Sequence, residues 1–375
     1  MKKVSILLLF LYLAGCTTQV ETPSPVLVDE ILGVGLTGGA LPLEPVDILA
    51  LSGELRSFVD ERIDRRWRTV KRLGELRNIL FSSDLFAIEY ESGKTKTATE
   101  TYQSKSGNCL SMTNLFIAMA RYSGLDARYH LVKARPEWDQ SGNTLIWTQH
   151  INSTGILGSG DRYVLDFLPQ QRAIREDMET ISDNYALAIF YNNLAAEAII
   201  EERYDAAIGY LRTALSIEPE MADVWNNMGA TQRRLKRVDL ARASYQQAVR
   251  FDPYNNAAMS NLSRIYLQEG NVKLGNYFAN KVKRHRSKNP YYRYSNARSA
   301  LIDGDYARAR EELNVAIRLK KDEAMFFDAL AEVYEGLGDQ ENKQISLQLA
   351  EMIRAESGKN RSSLEIYRSG NVIRQ

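Results

Sequence analysis

Apolar residues recur along the chain with two different periods, and each change of period marks a new element. Ile48, Leu49, Leu51, Leu55, Phe58, Val59 and Ile63 follow helical spacing, and Val70, Leu73, Leu76, Ile79 and Leu80 repeat it. The charged stretch DERIDRRWR lies between them, so two helices are predicted, with Trp67 packing at the turn. Leu110, Leu115, Phe116, Ala118, Met119 and Tyr122 describe a further helix, entered at Gly107-Asn108-Cys109 and stopped at Gly124. After it, 127–132, 144–152 and 163–168 read as strands separated by Gly, Asn and Asp turns. Residues 45–182 are therefore expected to form one α+β unit, a helix laid on an antiparallel sheet.

The second half has a longer period. Pro219 and Pro253 stand 34 residues apart, and the same register runs through five units over 188–355 without insertion. The seventh position holds Leu194, Met228, Leu262, Asn296 and Leu330, and the eighth holds Ala195, Gly229, Ser263, Ala297 and Ala331. Tyr191, Trp225, Met259 and Phe327 fall at the fourth. Small residues at fixed places let the two helices of a unit approach, and large ones fill the gap to the next unit. No unit buries its apolar face alone, so stacking is obligatory. The pattern resembles the tetratricopeptide repeat, which implies an all-α solenoid. Two departures predict irregularity in the middle: Ser287 and Lys321 replace the closing Pro, and Arg293 stands where an aromatic is usual. Lys343 at a normally small position marks the last unit as a cap, and 356–375 read as a C-terminal tail.

The start of the chain changes the picture of where it works. Met1-Lys2-Lys3 is basic, Val4 to Tyr12 is apolar apart from Ser5, and Leu13-Ala14-Gly15-Cys16 follows. The run is too short to span a bilayer and reads as an export signal over 1–15. Its end resembles the bacterial lipobox, which implies lipid on Cys16; Thr17 in place of Asp resembles the pattern sorted to the outer membrane. Residues 16–44, rich in Thr, Pro and Gly, are expected to be a flexible tether. With 48 Lys plus Arg against 47 Asp plus Glu, the charge balance disfavours a nucleic-acid partner. The two cysteines exclude a disulfide framework, and a lipidated Cys16 leaves Cys109 as the one free thiol of an exported chain.

Cys109 falls where a loop becomes a helix, so free backbone N–H groups and the positive end of the helix dipole face its sulfur. A nucleophilic cysteine also needs a base, and a group to orient that base. Of the three histidines, His285 sits in the basic run KVKRHRSK and reads as part of a solvated helix end. His130 reads as a satisfied, half-buried residue. His150 is the candidate base, because Asp166 follows on the next strand and neighbouring antiparallel strands present residues side by side. One thiol and scattered histidines make no metal cluster, so neither metal nor cofactor is expected.

Gly107-Asn108-Cys109 with the helix after it, Thr148-Gln-His150, and Tyr163-Val-Leu-Asp166-Phe together resemble the bacterial transglutaminase-like superfamily. Order and spacing, 41 residues from Cys to His and 16 from His to Asp, match that family. The resemblance implies a papain-like fold, with Cys109 as nucleophile, His150 as base and later acid, and Asp166 as the orienting carboxylate. By analogy with papain-like enzymes Gln103 is a candidate oxyanion donor, as is the Cys109 backbone N–H. In the repeats, Asn193, Asn227 and Asn261 share the sixth position and are candidates to bind an extended peptide in the groove. Arg264 and Arg298, at the ninth, are candidates to favour acidic ligands. The expected protein is a lipid-anchored envelope enzyme cleaving or transferring amide acyl groups, its repeats recruiting a protein or peptide. The alternative is a non-catalytic repeat adaptor carrying a degenerate copy of the domain.

Overall fold

A computed structural model describes residues 22–34, 42–81, 88–91, 93–141, 144–167, 178–358, 364–368 and 371–374. Residues 1–15, read as an export signal, and Cys16 lie outside the described residues. The first element is α1 (Pro25–Leu32), with Pro at its first position and Gly33 in the left-handed conformation closing its end. Next come α2 (Gly53–Asp60), capped by Ser52, and α3 (Thr69–Phe81), which bury Leu55, Val59, Leu73, Leu76, Ile79 and Leu80. The short strand β1 (Glu89–Tyr90) follows, then α4 (Ala98–Ser104), β2 (Ser106–Gly107) and α5 (Cys109–Tyr122).

Four strands follow α5: β3 (Arg128–Ser141), β4 (Thr144–Ile156), β5 (Arg162–Leu165) and β6 (Met178–Ile181). The α+β expectation holds, although β3 and β4 form a longer hairpin than the apolar alternation marks. The α5 helix lies beneath the base of this hairpin. Tyr129 donates to Asn114 of α5 at 2.6 Å, and the Phe116 ring meets Tyr163 edge-on at 6.3 Å. Tyr129, Leu131, Ile151 and Leu165 therefore pack with α5, and His130, Asn152 and Asp166 take the alternate positions.

Ten helices then run as five antiparallel pairs. They are α6 (Asp183–Ile200) with α7 (Tyr204–Ile217), α8 (Ala222–Arg234) with α9 (Val238–Phe251), and α10 (Asn256–Gln268) with α11 (Val272–Ser287). The last two pairs are α12 (Pro290–Ile302) with α13 (Tyr306–Leu319), and α14 (Ala324–Gly336) with α15 (Gln340–Gly358). Close approach needs the small eighth position: a Cβ on Gly229 would fall 2.7 Å from the Tyr245 ring of the paired helix. The middle of the array is irregular. Its apolar core divides there, one part ending at Val282 and the other starting at Ala297. Between them Arg293 pairs with Glu312 at 2.9 Å, a polar contact where an aromatic would have continued the core.

Three expectations need correction. The segment read as a tether is docked: Ile31 is fully buried, α1 packs against α9 and α7, and buried Arg212 donates to the Ile31 and Glu30 carbonyls at 2.8 and 2.9 Å. Leu43 N–H donates to Thr213, and Val46 N–H to the Tyr191 hydroxyl. The last unit is not polar outside, because Ile345, Leu347, Leu349 and Met352 are exposed on α15. Nor is the end of the chain only a tail. It forms β7 (Leu364–Arg368) and β8 (Asn371–Arg374), and β7 pairs with β5, giving the antiparallel order β6-β3-β4-β5-β7-β8. Leu364 and Ile366 alternate into the core, and that burial favours strand over coil.

One half-buried acid is expected to make the repeats pH-sensitive. Burial, with Asp252 nearby, pushes the Asp223 pKa up to about 6, against a 3.0 Å bond from Asn255. The unfolded value is about 3.9, so the folded chain binds this proton more tightly. Stability is therefore expected to fall as pH rises through that window, by about 1–2 kcal/mol after allowing for solvent. Asp223→Asn should remove the loss: its advantage in urea midpoint should be larger at neutral pH than near pH 4.

Candidate active site

Asn108 caps α5 and places Cys109 at its first position. Its Oδ1 accepts from the Ser111 N–H at 3.0 Å and the Ser111 hydroxyl at 2.9 Å, and its Nδ2 donates to Thr95 at 2.8 Å. The Cys109 side chain is half-buried and forms no disulfide. An anionic sulfur here would lie at the positive end of the helix dipole.

The level of Cys109 against the sheet follows from the contacts along α5. Thr113 donates to the Cys109 carbonyl at 2.7 Å and lies 3.4 Å from the Ile151 carbonyl oxygen. Further along, Phe116 meets Tyr163, the partner of Gly155 in the β4–β5 register, and Arg121 donates to Ala127 at 2.8 Å. Contacts thus move toward the end of β4 as α5 advances. One turn back from Thr113, Cys109 lies level with the part of β4 that holds His150. The His150 backbone stands opposite Val132 of β3, two residues before Asn152; its side chain is outside the described ones.

Asp166, 3% exposed, follows β5, and the fully buried Asn152 of β4 donates to its Oδ2 at 3.2 Å. Cys109 and Asp166 each take part in further interactions beyond these bonds. His130 stands opposite Asn152 and is buried as well. It is more deeply buried than the half-buried residue expected, and among the described residues its Nδ1 has no hydrogen-bond partner, nor has the Asn152 Oδ1. Burial pushes the His130 pKa down, Asn152 and Asp166 oppose that, and Arg162 adds to it. The triad pattern of the sequence did not include Asn152. Its only signal was its place two residues beyond His150.

Gln103 sits exposed in the last turn of α4, on a cavity of about 440 Å³ that it shares with Thr95, Lys96, Glu100 and Ser104. No hydrogen bond joins it to Cys109 among the described residues. The same cavity holds the Lys96 ammonium, which donates to Glu91 at 3.0 Å and to Ser106 Oγ at 2.7 Å. The Lys96 bond first, and then one from the Ser106 hydroxyl at 2.9 Å, hold the Glu91 carboxyl below its usual range.

Residues 74–179 match the family model of the transglutaminase-like superfamily, and residues 193–256 match that of the tetratricopeptide repeat. The chain fuses these two kinds of domain. Its repeats resemble a chloroplastic tetratricopeptide repeat domain-containing protein, PYG7, of Arabidopsis thaliana, 30% identical over 20% of this chain and 25% of that one. They also resemble a BBSome complex member BBS4 homolog of Drosophila melanogaster, 27% identical over 46% of this chain and 29% of that one. The match thus spans about a quarter of the length of these relatives. Among solved structures, a crystal structure of MamA aligns at 15% identity with a TM-score of 0.27, over 47% of this chain and 96% of that one. YrrB, described as a tetratricopeptide protein with an unusual peptide-binding site, aligns at 16% and 0.26, over 45% of this chain and 87% of that one.

Two of the three candidate asparagines of the repeats bond an asparagine of the repeat before. Asn227 Nδ2 donates to Asn192 Oδ1 at 2.9 Å, and Asn261 Nδ2 stands 3.5 Å from Asn226 Oδ1. Each pair joins the sixth position of one repeat to the fifth of the repeat before, and Asn193 takes no part in these bonds. Arg264 is exposed. Arg298 is committed within the array, its guanidinium 2.6 Å from Glu332 at the same position of the next repeat. Such an exposed pair is worth little, so an anionic ligand would have to displace only a weak partner.

Proposed function

We propose that the transglutaminase-like domain is a cysteine acyl-transfer site acting on carboxamide or peptide carbonyls, and that the tetratricopeptide repeats recruit a protein or peptide to it. The observation that carries this reading is Cys109 at a capped helix start, level with His150 on β4, with Asp166 held by Asn152 beside that strand. The Cys109 thiolate attacks the carbonyl carbon, forming the C–S bond. As the tetrahedral intermediate collapses, the C–N bond breaks and the His150 imidazolium protonates the departing amine. Water or a second amine then attacks the thioester, giving its proton to His150, and the thiolate leaves. Asp166 holds the imidazole in the required tautomer. The Cys109 N–H is positioned as an oxyanion donor, with Gln103 as a second candidate.

The same proposal places the protein on the periplasmic face of the outer membrane, anchored through lipid on Cys16. Supporting it are the basic start, the short apolar run and Leu13-Ala14-Gly15-Cys16.

Thiol reactivity tests the chemistry. Alkylation of Cys109 should persist below about pH 7 if imidazole stabilises the thiolate, and His150→Ala should abolish that low-pH labelling. Equal rates in both proteins would reject the pairing and leave the repeats as a scaffold with an inert domain.

A further inference from the structure

The cap of the nucleophile's helix is itself held from the repeat domain. Asn108 can accept from Ser111 only while its amide keeps one orientation, and what fixes that orientation is the bond from its Nδ2 to Thr95 Oγ1. Thr95 is buried, and its backbone N–H donates to Glu197 Oε1 at 2.8 Å. Glu197 lies on α6, the first repeat helix, 102 residues further along the chain. The loop that carries Thr95 saddles the first turn of α5: Lys96 N–H donates to Ser111 Oγ at 2.8 Å, Asn114 to the Lys96 carbonyl at 3.2 Å, and Asn108 N–H to the Lys94 carbonyl at 3.3 Å.

We propose that Glu197 is a positioning residue for Cys109, acting through Thr95 and Asn108, so that the first repeat completes the support of the nucleophile. This rests on the reading of Cys109 as the nucleophile. Simple adhesion between the domains does not require Glu197. Arg121 already clamps Asp183 at the start of α6 with two bonds of 2.6 and 2.8 Å, and one apolar core runs through both parts. Glu197 instead bonds the one loop that sets the cap. Burial raises its carboxyl pKa, and the Thr95 hydroxyl and N–H oppose that, as befits an acceptor kept out of water for this one residue. A ligand that shifts α6 would then also shift the thiol.

The test is the alkylation rate of Cys109 by iodoacetamide from about pH 5 to 9, in the full-length protein, read on the Cys109 peptide by mass spectrometry. Glu197→Ala should slow labelling about tenfold, with the pH profile displaced upward. Glu197→Gln should stay within about twofold of wild type, because its amide oxygen still accepts from Thr95. Thr95→Val, which keeps that N–H but loses the hydroxyl, should slow labelling as Glu197→Ala does, and the double variant should be no slower than the worse single. Wild-type labelling in Glu197→Ala, loss of rescue by Gln, or additive effects would overturn the proposal. If Glu197→Ala does not fold, Thr95→Val at an unchanged thermal midpoint decides: slow labelling supports the relay and wild-type labelling rejects it. His150→Ala is the separate control. Wild-type labelling there rejects the catalytic reading, while the Glu197 comparison is still scored on its own rates.

Discussion

Cys109→Ala is expected to lower amine release from a peptide carboxamide by about 10⁶-fold, with the fold intact. The half-buried side chain is small, so its loss should leave a negligible cavity, and the cap made by Asn108 and Ser111 does not involve the sulfur. His150→Ala should cost about as much, and the double variant no more, because nucleophile and base act as one unit. Asp166→Asn separates orientation from charge. On that reading its amide would present Nδ2 in place of a carboxylate oxygen, turning the ring to the wrong tautomer. A turnover measurement in which Cys109→Ala retains more than a tenth of wild-type activity would remove acyl transfer through this thiol.

The largest expected stability effect lies at Gly155, five residues along β4 from His150. There the backbone of Asp126 crosses against the strand: a Cβ on Gly155 would fall 1.9 Å from the Asp126 carbonyl oxygen and 2.7 Å from the Tyr163 ring. Neither can yield cheaply. The Asp126 carbonyl accepts from the Tyr163 hydroxyl at 2.6 Å, and the Asp126 carboxylate accepts from Ile156 N–H at 2.9 Å. Gly155→Ala must therefore push β4 off its neighbours. We expect a loss of about 3 kcal/mol, read as a lower urea midpoint at unchanged slope, together with slower Cys109 labelling as the strand moves. Gly158→Ala, whose new Cβ would sit in ordinary contact with Thr69, should stay within about 0.5 kcal/mol of wild type. Equal midpoints for the two variants would show that the Asp126 crossing is not rigid.

The parts legible in the sequence are those whose cause is local. The cap and apolar period of 109–122 announce α5, and the 34-residue register announces the helix pairs. The alternation around His150 and before Asp166 marks β4 and β5, which the fold sets side by side. Other features depend on partners far along the chain. Pro25 and Gly33 bracket α1 as a helix start and stop, yet the Thr, Pro and Gly around them read as tether, because nothing local shows that Arg212 waits for its carbonyls. Leu364 and Ile366 alternate as a strand should, but only the open edge of β5 gives that alternation somewhere to pair. Glu197 had no signal at all, since one glutamate among many gains its meaning from the loop it meets. The bonds from Asn227 to Asn192 and from Asn261 to Asn226 had no signal in the repeat register, because the relative tilt of successive helices decides which neighbours touch.

The return of β7 to β5 closes the repeat array into a loop tied at both ends to a single sheet, through β6 at one edge and β7 on the far side. An open solenoid can lengthen like a spring when it grips a ligand. Here the ends are pinned, so the interrupted core between α11 and α12 is where the arc must flex. Pulling the array straighter would peel β7 from the strand that leads into Asp166.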